Sequence, residues 1–107
     1  MKEFIAVYTT LPKRRKARQL AKSLIEERLA ACANIFKIDS VYRWEGELRE
    51  AGEYGLLLKT QVHLYPRIEK RIRELHPYEL PAIVSFVIRD GSREFLAWIA
   101  SETADTA

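Results

Sequence analysis

The chain has 107 residues and a formal net charge of +3, and it nowhere approaches the roughly 18 consecutive apolar residues of a membrane-spanning helix. At this length folding buries roughly 60 to 70% of the unfolded surface, which suits one domain over residues 1–107 and excludes two. A hydrophobic fraction of 48% with only 4 glycines and 4 prolines excludes a disordered chain, and the single cysteine, Cys32, excludes an internal disulfide or a CxxC zinc site.

Phe4-Ile5-Ala6-Val7-Tyr8-Thr9-Thr10 is short, rich in β-formers and nearly continuous in apolar character, as in a strand buried on both faces. Only Met1, Lys2 and Glu3 precede it. That lead has no room for a signal peptide, so the expectation is a cytoplasmic protein with no membrane partner. Thr10 is the expected N-cap of the first helix, with Pro12 in its first turn. Ala17, Leu20, Ala21, Leu24, Ile25 and Arg28 then form one helical stripe. The basic run Lys13-Arg14-Arg15-Lys16 reads as a solvated face, and its opposition to the helix dipole is a weak hint of an anion nearby.

From Asn34 the period changes to two. Phe36, Ile38, Ser40, Tyr42 and Trp44 share one face of an extended segment. Glu45-Gly46 supplies a turn, and the chain returns through Leu48 to Thr60 with a bulge or bend expected at Ala51-Gly52. The outgoing arm is about twice the usual strand of 5 to 6 residues. Unpaired edges ending in Tyr42 and Trp44 are an aggregation liability unless another chain covers them, so the arm predicts a homo-oligomer.

A second helix follows over Leu64 to Leu75, with Pro66 in its first turn and Leu64, Ile68, Ile72 and Leu75 inward. His76-Pro77-Tyr78-Glu79-Leu80-Pro81 is a stiff polar corner, since each proline holds the residue before it extended. It leads to an expected buried strand, Ala82 to Ile88. Asp90-Gly91-Ser92 offers turn and cap chemistry for a closing helix carrying Phe95, Trp98 and Ile99, and the tail from Ser101 to Ala107 reads as loose. The order is β-α-β-β-α-β plus a terminal helix. That is an α+β ferredoxin-like sandwich with a long hairpin between its second and third strands.

Chemistry concentrates at the corner. His76 supplies an imidazole for a divalent metal, with Cys32 as a soft addition, or it caps the second helix. Tyr78 and Glu79 exceed what a structural corner needs, or they make local hydrogen bonds. Lys59 sits on the polar parity of an apolar strand and pairs with Glu79 or another acid, or points to solvent. His63 reads as structural. The chain lacks GxSxG, HExxH and a glycine-rich phosphate loop, so no reaction is expected. An RNA-recognition domain shares this element order, but the third strand here, Glu53 to Thr60, carries aliphatics where bases would stack, so no nucleic-acid partner is expected.

Glu26-Glu27-Arg28-Leu29-Ala30-Ala31-Cys32-Ala33-Asn34, Ser40-Val41-Tyr42-Arg43-Trp44-Glu45-Gly46, Leu58-Lys59-Thr60 and the His76 to Pro81 corner, with Gly91 and Trp98, resemble the CutA divalent-cation-tolerance family. The resemblance implies a homotrimer of ferredoxin-like subunits whose hairpin arms pair with neighbours, acting in divalent cation tolerance. It also implies a divalent cation, copper foremost, as ligand. Copper-binding relatives carry a cysteine at the end of the first strand and a second histidine before the corner; this chain has Thr9 and Leu75 there. His76 is then the one metal ligand, and binding is expected to be weak. Tyr78, Glu79, Lys59, Trp44 and Cys32 are the expected ligand-cleft residues. The alternative is a trimer related in shape to nitrogen-signalling proteins, reading a small anionic effector in clefts between subunits through Lys59, arginines of the first helix and Tyr78.

Overall fold

The structure is a computed structural model that describes residues 3–105. Its elements are β1 (Phe4–Leu11), α1 (Arg14–Glu26), β2 (Cys32–Trp44), β3 (Glu47–Gln61), a 3-10 turn (Val62–Leu64), α2 (Tyr65–Leu75), β4 (Val84–Ile88) and α3 (Arg93–Glu102). The strands form one antiparallel sheet in the order β2-β3-β1-β4. This is the ferredoxin-like arrangement expected from the element order.

Alternation along the strands divides the sheet into two unlike faces. Ile5, Val7 and Leu11 of β1 and Leu56 and Leu58 of β3 join Leu20 and Leu24 of α1 and Ile68 and Ile72 of α2 in one core. Burying each such side chain contributes about 1.5–3 kcal/mol. On the opposite parity, Phe4, Ala6, Tyr8 and Thr10 share a face with Gly55, Lys59 and the alternate residues Phe36 to Trp44 of the arm. Ile99 of α3 covers only the end of this face, against Phe4 and Ala31. Thr10 and Glu53 farther along the same face are also covered, whereas Phe36 is 40% and Phe86 56% exposed.

The hairpin is longer and more regular than the sequence suggested. Its register runs without a slip from Cys32↔Lys59 to Trp44↔Glu47, and Asp39↔Gly52 and Ser40↔Ala51 sit one against one, so the expected bulge is absent. Glu45 (φ 52°) and Gly46 (φ 78°) make the two-residue turn whose positive φ values suit a twisted hairpin.

Several local expectations are corrected. α1 is capped by Lys13 rather than Thr10, with no side-chain cap, because Thr10 and Leu11 remain in β1. Ile25 and Leu75 are exposed rather than inward: Ile25 stands at the edge of the stripe that Ala17, Leu20, Ala21 and Leu24 bury, and Leu75 is the last residue of α2. Arg28 has left the helix and takes a left-handed conformation, φ 60°. β4 is not a buried strand: it lies at the sheet edge beside β1, only Ile88 at its end packs against the cluster around Ile99, and Val87 is 73% exposed. The tail is anchored, not loose. Thr103 is 2% exposed, Gln61 Nε2 donates to its hydroxyl at 2.7 Å, and the Ala104 N–H donates to the Arg28 carbonyl at 2.8 Å. Thr106 and Ala107, also assigned to the loose tail, lie outside the described residues.

Candidate functional site

The pairing of β4 with β1 stops at Tyr8↔Val84, so the last residues of β1 have no strand beside them there. The corner after α2 fills that place. His76 ends the helix, its N–H donating to the Ile72 carbonyl, and turns extended (φ −80°, ψ 137°) as the following proline requires. Its ring is buried against β1, with Nε2 2.7 Å from the carbonyl oxygen of Thr10. The Tyr78 backbone N–H points at Nδ1 across 3.1 Å. A backbone N–H can only donate, so Nδ1 accepts and the proton sits on Nε2, donating to Thr10. Burial holds the imidazole below its ordinary pKa, with weaker opposition from the Thr10 carbonyl and Glu53, in keeping with a neutral ring.

The corner carries Tyr78 across to the arm. Its hydroxyl donates to Glu53 Oε2 at 2.7 Å, joining residues on α2's exit and the root of β3. Burial and the Glu53 carboxylate together push the phenol's pKa up, so it stays protonated as the donor. Glu53 is only 7% exposed, and among the described residues no donor reaches its second oxygen. Between the corner and the arm lies a groove of about 920 Å³. Tyr8, Tyr42, Trp44 and Tyr78 give it aromatic walls, and Glu53, Glu79 and Arg49 are its charged groups. Arg49 is engaged by Glu47 at 3.4 Å and Glu45 at 3.6 Å.

Of the expected cleft residues, Tyr78, Glu79 and Trp44 meet in this groove, whereas Lys59 and Cys32 do not. Lys59 hydrogen-bonds Asn34 Oδ1 rather than Glu79 or another acid, and Cys32 is its cross-strand partner nearer the other end of the sheet. The separation follows from register: Lys59 lies six residues beyond Glu53 along β3, about 20 Å at strand rise. Glu53 was missed by sequence reasoning. Its signal was an acid on the same parity as Gly55 and Leu57, inside a strand.

His76 does not fit a metal as it stands, because both ring nitrogens are engaged and no lone pair is free. Thr9 is fully enclosed with an unpartnered Oγ1 on the core parity, and Leu75 offers no donor. Among the described residues no group of three or more His, Cys, Asp and Glu side chains is placed to hold a metal ion. The anionic-effector alternative gains nothing either, since the groove holds two carboxylates and its one cation is already engaged by acids.

The family profile described as CutA1 divalent ion tolerance protein matches residues 5–102. A divalent-cation tolerance protein CutA of Thermus thermophilus is 47% identical over 98 residues, covering 91% of this chain and 95% of that one. The crystal structure of CutA1 from Oryza sativa superposes with a TM-score of 0.94 at 34% identity, covering 97% of this chain and 96% of that one. That of Archaeoglobus fulgidus, with a TM-score of 0.89 at 37% identity over 95% of this chain and 98% of its own, is described as a periplasmic divalent cation tolerance protein. This corrects the cytoplasmic setting expected from the short lead before β1: a relative of the same fold is placed in the periplasm, and three residues of lead do not fix a compartment. Among the described residues no helix is long and apolar enough to cross a membrane. With its sequence and its fold both matching over nearly their whole length, the chain belongs to the CutA1 divalent ion tolerance family.

Proposed function

We propose that the protein works as a homotrimer in divalent cation tolerance, without catalysing a reaction, and that the groove between arm and corner is its working site. The observation that carries the assembly is the uncovered apolar surface at both ends of the sheet. β2 and β4 are both edge strands, Val41, Tyr42 and Leu48 stand exposed on the arm, and Val84, Phe86 and Val87 stand exposed on β4. Edges of this length and character are covered in natural proteins, and a head-to-tail ring joining one edge to the other closes without leaving a free one. Divalent metal, copper included, enters this proposal only as a weak ligand of surface carboxylates, because the His76 ring is fully engaged in holding the corner.

Size-exclusion chromatography with light scattering should give three times the 12.5 kDa chain mass. A single chain at micromolar concentration would overturn the assembly. Calorimetric titration with Cu(II) should give matching isotherms for the native chain and His76→Gln, and loss of binding in the variant would restore His76 as a ligand.

A further inference from the structure

An aspartate side chain can close on the backbone nitrogen of the next residue, and an asparagine can do the same. The ring forms readily where the side chain is exposed, the following residue is too small to block its nitrogen, and the backbone between them is free to turn. Four residues of this chain could start the reaction: Asn34, Asp39, Asp90 and Asp105. Asn34 and Asp39 lie inside β2, where pairing with Leu57 and Gly52 fixes their backbone, and the Asn34 side chain is held by Lys59. Asp105 is followed by Thr106, whose branched Cβ crowds the nitrogen.

Asp90 meets all three conditions. It stands in neither strand nor helix, between Ile88 at the end of β4 and Ser92, the N-cap of α3. Its side chain is 83% exposed, and its pairing with Arg89, itself 92% exposed, is of the surface kind that holds little. Gly91 presents no Cβ to the approaching carboxyl, and among the described residues no acceptor takes its N–H. The structure assigns Asp90-Gly91 as a site of spontaneous covalent modification, where aspartate becomes isoaspartate. The Gly91 nitrogen bonds to Cγ of the Asp90 acid and one water leaves, giving a succinimide. Water then returns to either carbonyl, restoring aspartate or leaving a backbone that runs through Cγ, with no net change in atoms and no oxidant or cofactor.

The isomer has one more methylene in the backbone directly ahead of α3. Ser92 Oγ accepts from the Phe95 N–H at 3.2 Å, and Gly91 lies so close to Leu96 that a Cβ there would stand 3.2 Å from Cδ2. Lengthening the chain at this point shifts both contacts. Leu96 in turn packs against the cluster of Phe4, Ala31 and Ile99, so the change loosens the first turn of α3 over the end of the sheet.

The full chain, in the oligomeric state it adopts, is aged in warm neutral buffer and digested with endoproteinase Asp-N, which cuts before aspartate but not before isoaspartate. Mass spectrometry should show progressive loss of the cut before Asp90 and an undiminished cut before Asp39. Methyl label transferred from S-adenosylmethionine by an isoaspartate carboxyl methyltransferase should rise in step. Asp90→Glu keeps the charge but must close a larger, slower ring, so it should age without gaining label. Amide hydrogen exchange at Phe95 and Leu96 should quicken in the aged native chain and not in aged Asp90→Glu. A cut before Asp90 that survives ageing, equal loss before Asp39, or label that persists in Asp90→Glu would each overturn the site. Isomerisation only in chain held unfolded in urea would also overturn it, since the folded assembly would then shield the loop. Unchanged exchange in chain shown to be modified would overturn the effect on α3.

Discussion

His76 Nε2 donates to the carbonyl of Thr10, 66 positions away in sequence, while its Nδ1 accepts from the Tyr78 backbone two residues on. One neutral imidazole thus ties the exit of α2 to the end of β1 and sets the direction of Tyr78. Protonating Nδ1 would turn an acceptor into a donor facing another donor. Because burial lowers the folded pKa below the ordinary value near 6.5, the unfolded chain binds the proton more readily. The stability this ring contributes is complete above about pH 6.5 and is lost as pH falls from there through the folded pKa. Urea midpoints between pH 7.5 and 5 should fall for the native chain and fall less for His76→Gln, which keeps an N–H for Thr10 without titrating. Parallel pH profiles would remove the histidine from the account.

Gly55 allows the Phe36 ring to lie across the strand. A Cβ built there would stand 2.6 Å from Phe36 Cε2 and 2.8 Å from Cζ, well inside van der Waals contact. Gly55→Ala should cost about 1–3 kcal/mol by overpacking, read from urea unfolding. Phe36→Leu in the same chain should recover most of the loss, which shows that the ring and not the backbone sets the cost.

Arg28 holds two parts of the C-terminal segment at once, its guanidinium donating to the Ser101 carbonyl at 2.9 Å and its own carbonyl accepting from Ala104. Its φ of 60° disfavours any side chain with a Cβ. Arg28→Ala loses the guanidinium contact and keeps the strain, whereas Arg28→Gly loses the contact and removes the strain. The alanine variant should be less stable than the glycine variant by about 1 kcal/mol. The reverse order in thermal unfolding would show that left-handed strain does not set the balance at this position.

Phe86 tests whether the open sheet face is an interface. It is 56% exposed and lies opposite Ala6 on the face that α3 leaves uncovered. Phe86→Glu places a charge on a surface already open in the single chain, so the fold should persist by circular dichroism. Light scattering should show the assembly falling apart. A Phe86→Glu variant that remained an intact trimer would mean that this face is not where copies meet.

A core substitution gives the scale for these effects. Leu58 is fully enclosed between β1 and the helices, and Leu58→Ala should cost about 2–5 kcal/mol in denaturant unfolding. A loss below about 1 kcal/mol would show that the pocket collapses around the smaller side chain.

Local period and backbone restriction were enough to lay out most of this molecule. Helical spacing in Ala17 to Leu24 and Leu64 to Ile72, alternation from Phe36 to Trp44, the Glu45-Gly46 turn and the proline-bounded corner were all legible, and their order gave the fold. Which of those elements meet became visible only in the packed chain. Glu53 and Tyr78 are 25 positions apart, and nothing local in either segment says that a phenol leaving α2 reaches a carboxylate at the root of the arm. Lys59 was drawn into the wrong group for the same reason, since the sheet register carried it along β3 to Asn34. The burial of β4 was misjudged because an apolar run reads alike in a central strand and in an edge, and the difference lies in what packs over it. Period is a property of neighbouring residues, whereas a site is made where the chain returns to itself.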